Sequence, residues 1–221
     1  MGDFLQTMFV IIWKDFRAEL RSRELIGSMG LFTLLGILVF SFALELDRQT
    51  RQEVVNGVLW VTMIFASILG LNRSMAQERE QGNMDALMIA PVHRSAIFMG
   101  KFIGNLGFTL LIGLALLPVM SVLYNLNLLR PELILMLCLG VTGISAIGTL
   151  LATMTVQTRA RETLLPIALL PTVLPIVVIV VRATNGLLLG DDIRQWLFVL
   201  VLVDVIYILM GATLFEYTTE D

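Results

Sequence analysis

The chain has 221 residues, of which 57% are hydrophobic and 15% charged, with a formal net charge of −3. A water-soluble domain of this length carries far more charge on its surface, so composition excludes one. A single cysteine, Cys138, leaves no intrachain disulfide, and one histidine with one cysteine cannot build a structural zinc site.

The opening "MGDFLQTMFVIIWKDFRAELRSRE" has helical periodicity. Leu5, Phe9, Ile12, Phe16 and Leu20 recur three or four apart as an apolar stripe, and Lys14, Arg17, Arg21 and Glu24 lie off it. This pattern predicts a helix lying flat in the membrane interface; a frayed cytoplasmic tail is the open alternative. A cleavable signal peptide is not expected, because Lys14, Asp15 and Arg17 break the apolar stretch and no small-residue cleavage site follows. Gln6 stands where a myristoylation signal wants Ser or Thr. Gly27 and Gly30 fall near the expected turn into the first span.

Six long apolar runs follow: Leu25–Leu44, Val54–Leu71, Phe102–Leu123, Leu133–Val156, Leu164–Val181 and Trp196–Phe215. Their one acidic or basic residue is Asp204, and each run is long enough to cross a hydrocarbon core of about 30 Å as a helix. Strands are excluded, because a lipid-facing barrel needs alternation and these runs are apolar all round. Ten Lys and Arg residues fall in the N-terminal segment and the loops after spans 2 and 4, against five on the opposite side. That bias predicts cytoplasmic termini and a cytoplasmic loop after span 2. The outer connections Glu45–Glu53 and Tyr124–Glu132 leave room for turns, while Arg182–Gln195 could hold a small re-entrant or surface element.

Small residues recur at four-residue spacing: Thr62, Ala66 and Gly70 in span 2, Gly100 and Gly104 at the start of span 3, and Ser145, Thr149 and Thr153 in span 4. They let helix backbones approach closely, within the chain or between subunits. Span 5 reads "LLPIALLPTVLPIVVIVV". Pro166 fits a first turn, but Pro171 and Pro175 are expected to kink or unwind the helix, as a static bend or as a flexing, pathway-lining element. Asp204 is costly in lipid and is expected to face protein or water. With no intramembrane cation to pair with, a hydrogen-bonded packing role is favoured over a proton or cation site.

The segment "QEREQGNMDALMIAPVHRSAIFMGK", Gln77 to Lys101, lies between two of these runs. Asn83 suits a helix N-cap and Asp85 the first turn, where the helix dipole favours negative charge. Met84, Leu87 and Met88 form one apolar face, Pro91 ends the helix, and Ser95 is expected to cap the next one, with Lys101 snorkelling to the interface. So small an apolar face holds lipid poorly and suits a groove on a cytoplasmic protein.

An E-x-x-x-G-x-x-(D/E)-x-L-x-x-x-P segment followed by Arg and then Gly-Lys resembles the coupling segment of exporter-type ABC permeases. Glu78, Gly82, Asp85, Leu87, Pro91, Arg94, Gly100 and Lys101 match it, with Met88 beside Leu87 on the docking face. The length, the absence of a large outer domain and the "LLPTVLP" of span 5 resemble the CcmB family within the ABC-2 permease superfamily. The resemblance implies an all-α integral membrane protein with six transmembrane helices, an N-terminal interfacial amphipathic helix and a cytoplasmic coupling helix. It divides the chain into an interfacial helix over 1–24, spans 1 and 2 over 25–71, a coupling segment over 72–99, spans 3 to 6 over 100–215 and a cytoplasmic tail over 216–221. It also implies a permease subunit in the bacterial inner membrane for haem export and cytochrome c maturation. The implied partners are a CcmA-like ATPase, a CcmC-like haem handler, a CcmD-like small protein, a CcmE-like haem chaperone and membrane lipid, in a complex holding two copies of the chain. ATP hydrolysis on the partner would be coupled to haem handling or to release of the haem-loaded chaperone.

The residues themselves agree in part. No G-x-x-x-x-G-K-(S/T) phosphate loop is present, so a non-enzymatic subunit is expected, with no cofactor bound directly, ATP on a partner chain and no nucleic-acid partner. Trp13, Trp60 and Trp196 are scattered, unlike the tryptophan-rich haem motif of CcmC. His93, in the coupling loop, reads as a solvated residue ahead of an axial haem ligand, and the methionines of the apolar runs as packing residues. A general ABC-2 export permease for a drug, lipid or polysaccharide shares every feature except the span 5 pattern and the small size. A secondary transporter would lean on Asp204 and span 5, and a membrane enzyme would need convergent catalytic groups that one His and one intramembrane Asp do not supply.

Overall fold

The computed structural model describes residues 2–43, 48–80, 92–155, 158 and 161–218, and every regular element among them is an α-helix. The first helix, α1 (Gly2–Ser22), ends at Arg23, whose φ of 55° turns the chain sharply. The turn therefore precedes α2 (Glu24–Ala43), and Gly27 and Gly30 lie inside that helix. Glu19 fixes the corner: its carboxylate accepts the backbone N–H groups of Leu25 at 3.2 Å and Ile26 at 2.8 Å. Two donors that the start of α2 cannot satisfy internally are thereby paired.

Five further helices follow: α3 (Arg48–Glu80), α4 (Arg94–Tyr124), α5 (Pro131–Thr155), α6 (Arg161–Leu189) and α7 (Arg194–Thr218). With α2, all six are long and apolar enough to cross a membrane. Helix α3 continues nine residues past its apolar run Val54–Leu71, which carries Glu78 about 10 Å and Glu80 about 13 Å beyond it at the helical rise. Helix α4 starts at Arg94 with His93 as N-cap and no side-chain cap, so Ser95 lies within the first turn rather than capping it. The stretch Arg182–Gln195 holds no separate element: α6 runs on to Leu189 and turns at Gly190, whose φ of 85° suits glycine.

Helices α3 and α5 form the centre of the bundle, with 72% of each apolar window buried, against 22% for α2 and 17% for α7. That contrast leaves α2 and α7 with broad apolar faces for lipid or partner chains. Glycines on α5 set how closely its neighbours approach. A Cβ at Gly140 would meet the Trp60 ring and Val180, and one at Gly148 would meet Leu71 and Leu169. At the end of the bundle away from α1, Trp60 Nε1 donates to Thr184 Oγ1 at 3.3 Å, and Asn56 donates to Asn185.

Helix α6 is continuous through Pro166, Pro171 and Pro175, so the expected unwinding does not occur. Pro171 and Pro175 lie on its exposed side, where their rings clash with no neighbouring helix, and the packed stripe is Leu165, Leu169, Val173, Ile176 and Val180. The Thr172 carbonyl, between the two prolines, accepts the Tyr207 hydroxyl at 2.7 Å.

Candidate functional site

The densest group of buried charge lies where α1 meets the end of α3 and the start of α4. Ile11, Asp15 and Glu19, four residues apart, share one face of α1. Ile11 is 3% exposed and Glu19 2%. That face packs on α4, while Leu5, Phe9, Phe16 and Leu20 of the apolar stripe are exposed. Leu5, Phe9 and Leu20 are thus free to meet lipid, Phe16 also stacks on Phe108 of α4, and the bundle takes the face of Ile11, Asp15 and Glu19 instead.

Glycine makes the approach possible. A Cβ at Gly100 would lie 2.9 Å from Ile11 Cβ and 3.2 Å from the Met8 carbonyl, and one at Gly104 would lie 3.6 Å from Asp15 Oδ2. The Gly100/Gly104 pair is therefore a track for α1. It places Asp15 against Lys101, whose side chain is 1% exposed. Lys101 Nζ donates to Asp15 Oδ1 at 3.1 Å, to Asp15 Oδ2 at 2.9 Å and to Glu78 Oε1. Lys14 Nζ lies 3.2 Å from Asp15 Oδ1 and also donates to Glu78 Oε1. Two ammonium groups and two carboxylates thus cancel in charge across three helices, the condition under which buried ions are tolerated. Burial alone would lower the Lys14 pKa, but the Asp15 and Glu78 carboxylates outweigh it and hold the ammonium above its ordinary value. Lys101 therefore does not snorkel. Its head group is neutralised in place.

Glu78 uses one oxygen for both lysines, and its buried Oε2 has no hydrogen-bond partner among the described residues. Beside it lies a small cavity of about 30 Å³ lined by Lys14, Asp15, Glu19, Ser74, Gln77 and Glu78. That is room for about two waters. A second ion pair, Arg73 with Glu24, ties α3 to α2 at the same end of the bundle.

Of the residues singled out from sequence, Glu78 is in this cluster, and Arg94 opens α4 with a buried Nη1 that has no partner among the described residues. Gly82, Asp85, Leu87, Met88 and Pro91, with the helix expected over them, lie outside the described residues. His93 is exposed. Pro171 and Pro175 take no part in the cluster. Asp204 is 4% exposed and stands in the buried stripe Leu200, Asp204, Gly211 and Phe215 of α7. It presses on α5 at Gly143, where a Cβ would collide with Oδ1 and with Ile176. The hydrogen bond expected of Asp204 is missing: neither carboxylate oxygen has a partner among the described residues.

Sequence reasoning missed Asp15 and the bridging role of Lys14 and Lys101. The available signal was an adjacent Lys-Asp pair interrupting an apolar stripe and a lone lysine at the mouth of an apolar run.

A family model described as CcmB protein matches residues 6–216. The chain is 27% identical over 187 residues to heme exporter protein B of Rhodobacter capsulatus, covering 81% of this chain and 85% of that protein. It is 28% identical over 189 residues to heme exporter protein B of Paracoccus denitrificans, covering 84% and 85%. Against the protein of that name from Pseudomonas aeruginosa the identity is 28% over 175 residues, covering 77% and 76%.

Proposed function

The chain belongs to the CcmB protein family, and from that premise we propose that it is the permease subunit of an ABC transporter for haem export in cytochrome c maturation. The observation that carries this reading is the family match over residues 6–216, joined to a bundle of six helices able to span a membrane. Residues 1–221 act as one permease unit. The chain is not itself an enzyme: it binds no cofactor directly, ATP sits on a separate CcmA-like ATPase, and haem is the substrate of the complex. Segment 81–91 docks the ATPase through Leu87 and Met88, flanked by Glu78 and Arg94. ATP hydrolysis there drives haem handling or release of haem-loaded CcmE-like chaperone, with CcmC-like and CcmD-like chains in the same complex. A second copy of this chain supplies the other permease half, against two ATPase copies.

Deleting the gene in its host is expected to abolish covalent haem attachment to c-type cytochromes while apocytochrome is still made. Haem-stained gels with and without the restored gene check this, and normal holocytochrome in the deletion strain would refute the reading.

The proposed address is the bacterial inner membrane with both termini cytoplasmic. Single cysteines at Thr50 and Asp192 are expected to react with an impermeant maleimide from outside intact cells, and those at Gln81 and Glu220 only after permeabilisation. Labelling of Gln81→Cys in intact cells would contradict cytoplasmic docking.

A further inference from the structure

The buried charges carry an inference about transmission that rests on the proposed function. We propose that Asp15 and Lys101 are positioning residues that latch α1 to α4, so that the interfacial helix and the start of α4 move as one body against α3. The two arms of the cluster differ in how completely they are satisfied. Both Asp15 oxygens take Lys101, and the Gly100/Gly104 track brings the two helices close at the same place. On the α3 side a single carboxylate oxygen takes both bonds: Glu78 offers Oε1 to both lysines, and its Oε2 has no partner among the described residues.

An apolar contact would hold two helices together at several registers, whereas a doubly bonded buried ion pair holds them at one. Register-setting is the best-attested use of such pairs, since apolar replacements often match them in stability. Helix α4 begins at Arg94, so on the proposed docking its start is the first described element to receive a movement of the ATPase. Through Asp15 and Lys101 the same displacement reaches α1. Its exposed Leu5, Phe9, Phe16 and Leu20 then shift in the membrane interface while α3 stays with the core.

The test begins with the double variant Asp15→Asn/Lys101→Met, which removes one charge of each sign and leaves Lys14 paired with Glu78. The chain is expected to assemble, keep its ATPase and allow ATP hydrolysis. Holocytochrome c should fall about tenfold, within the range by which residues on a coupling route act. A covalent tie supplies the second arm. A Cβ built at Gly104 lies 4.0 Å from Asp15 Cβ, within the span of a disulfide. Asp15→Cys/Gly104→Cys on a Lys101→Met, Cys138→Ser background should restore maturation in a host with an oxidising cytoplasm and remain low in a reducing one. Should the double variant fail to assemble, the oxidised and reduced forms of the tied chain decide alone. Wild-type maturation in the double variant, or equally low maturation with the tie oxidised and reduced, would overturn the latch. Failure of the unmodified chain to retain any ATPase would instead remove the proposed function.

Discussion

Lys101→Ala is expected to destabilise the bundle by about 3 kcal/mol, because it strands Asp15 and Glu78 as buried carboxylates with only Lys14 between them. The Lys101 ammonium is the better buried of the two cations, its side chain being 1% exposed against 38% for Lys14. Lys14 still neutralises part of the charge, which keeps the loss at the lower end of the cost of breaking a buried pair. Denaturant unfolding of the purified chain in detergent checks this. Asp15→Asn/Lys101→Met should cost much less in the same measurement, because no charge is left without a counterpart. Equal losses in the two variants would mean that side-chain packing, and not charge balance, makes Lys101 important.

Leu87→Asp is expected to abolish retention of the ATPase, losing about 2 kcal/mol or more of docking, as when a buried hot-spot side chain is removed from an interface. At that size the dissociation constant rises roughly thirtyfold. Leu87 belongs to none of the six apolar runs, so insertion and expression should be normal. Gln81→Asp, outside the Met84/Leu87/Met88 face, should be much milder. Quantifying the ATPase that co-purifies with each variant in mild detergent separates the two. Undiminished retention by Leu87→Asp would show that this face is not the docking element.

The six spans and the amphipathic first helix are legible in the sequence, because apolar runs of 18 residues or more have few other uses. The face that α1 presents to the bundle is not. The apolar stripe is exposed at Leu5, Phe9, Phe16 and Leu20, as a helix lying flat in the interface requires, but nothing in that pattern tells that Ile11, Asp15 and Glu19 are the residues that pack inward. In a membrane protein apolar surface is as well placed on lipid as on protein, so periodicity no longer tells inside from outside. Pairing of Asp15 with Lys101 joins residues 86 apart in the chain, a distance over which no local pattern carries information. The span 5 prolines are legible in part: of the kink or unwinding expected at Pro171 and Pro175, the unwinding does not occur, and α6 stays helical with both turned away from its packed stripe. Gly140, Gly143 and Gly148 acquire meaning only from the Trp60, Asp204 and Leu71 side chains that press on them.

The central claim is that this chain is a permease half driven by a separate ATPase in a haem-exporting complex. Its most direct test is affinity purification of the tagged chain from native membranes in mild detergent, with the co-purifying chains identified and the intact complex weighed. The expected result is an ABC ATPase in two copies, two copies of this chain, and haem-handling partners in the same particle. A particle that lacks any ATPase would contradict the account.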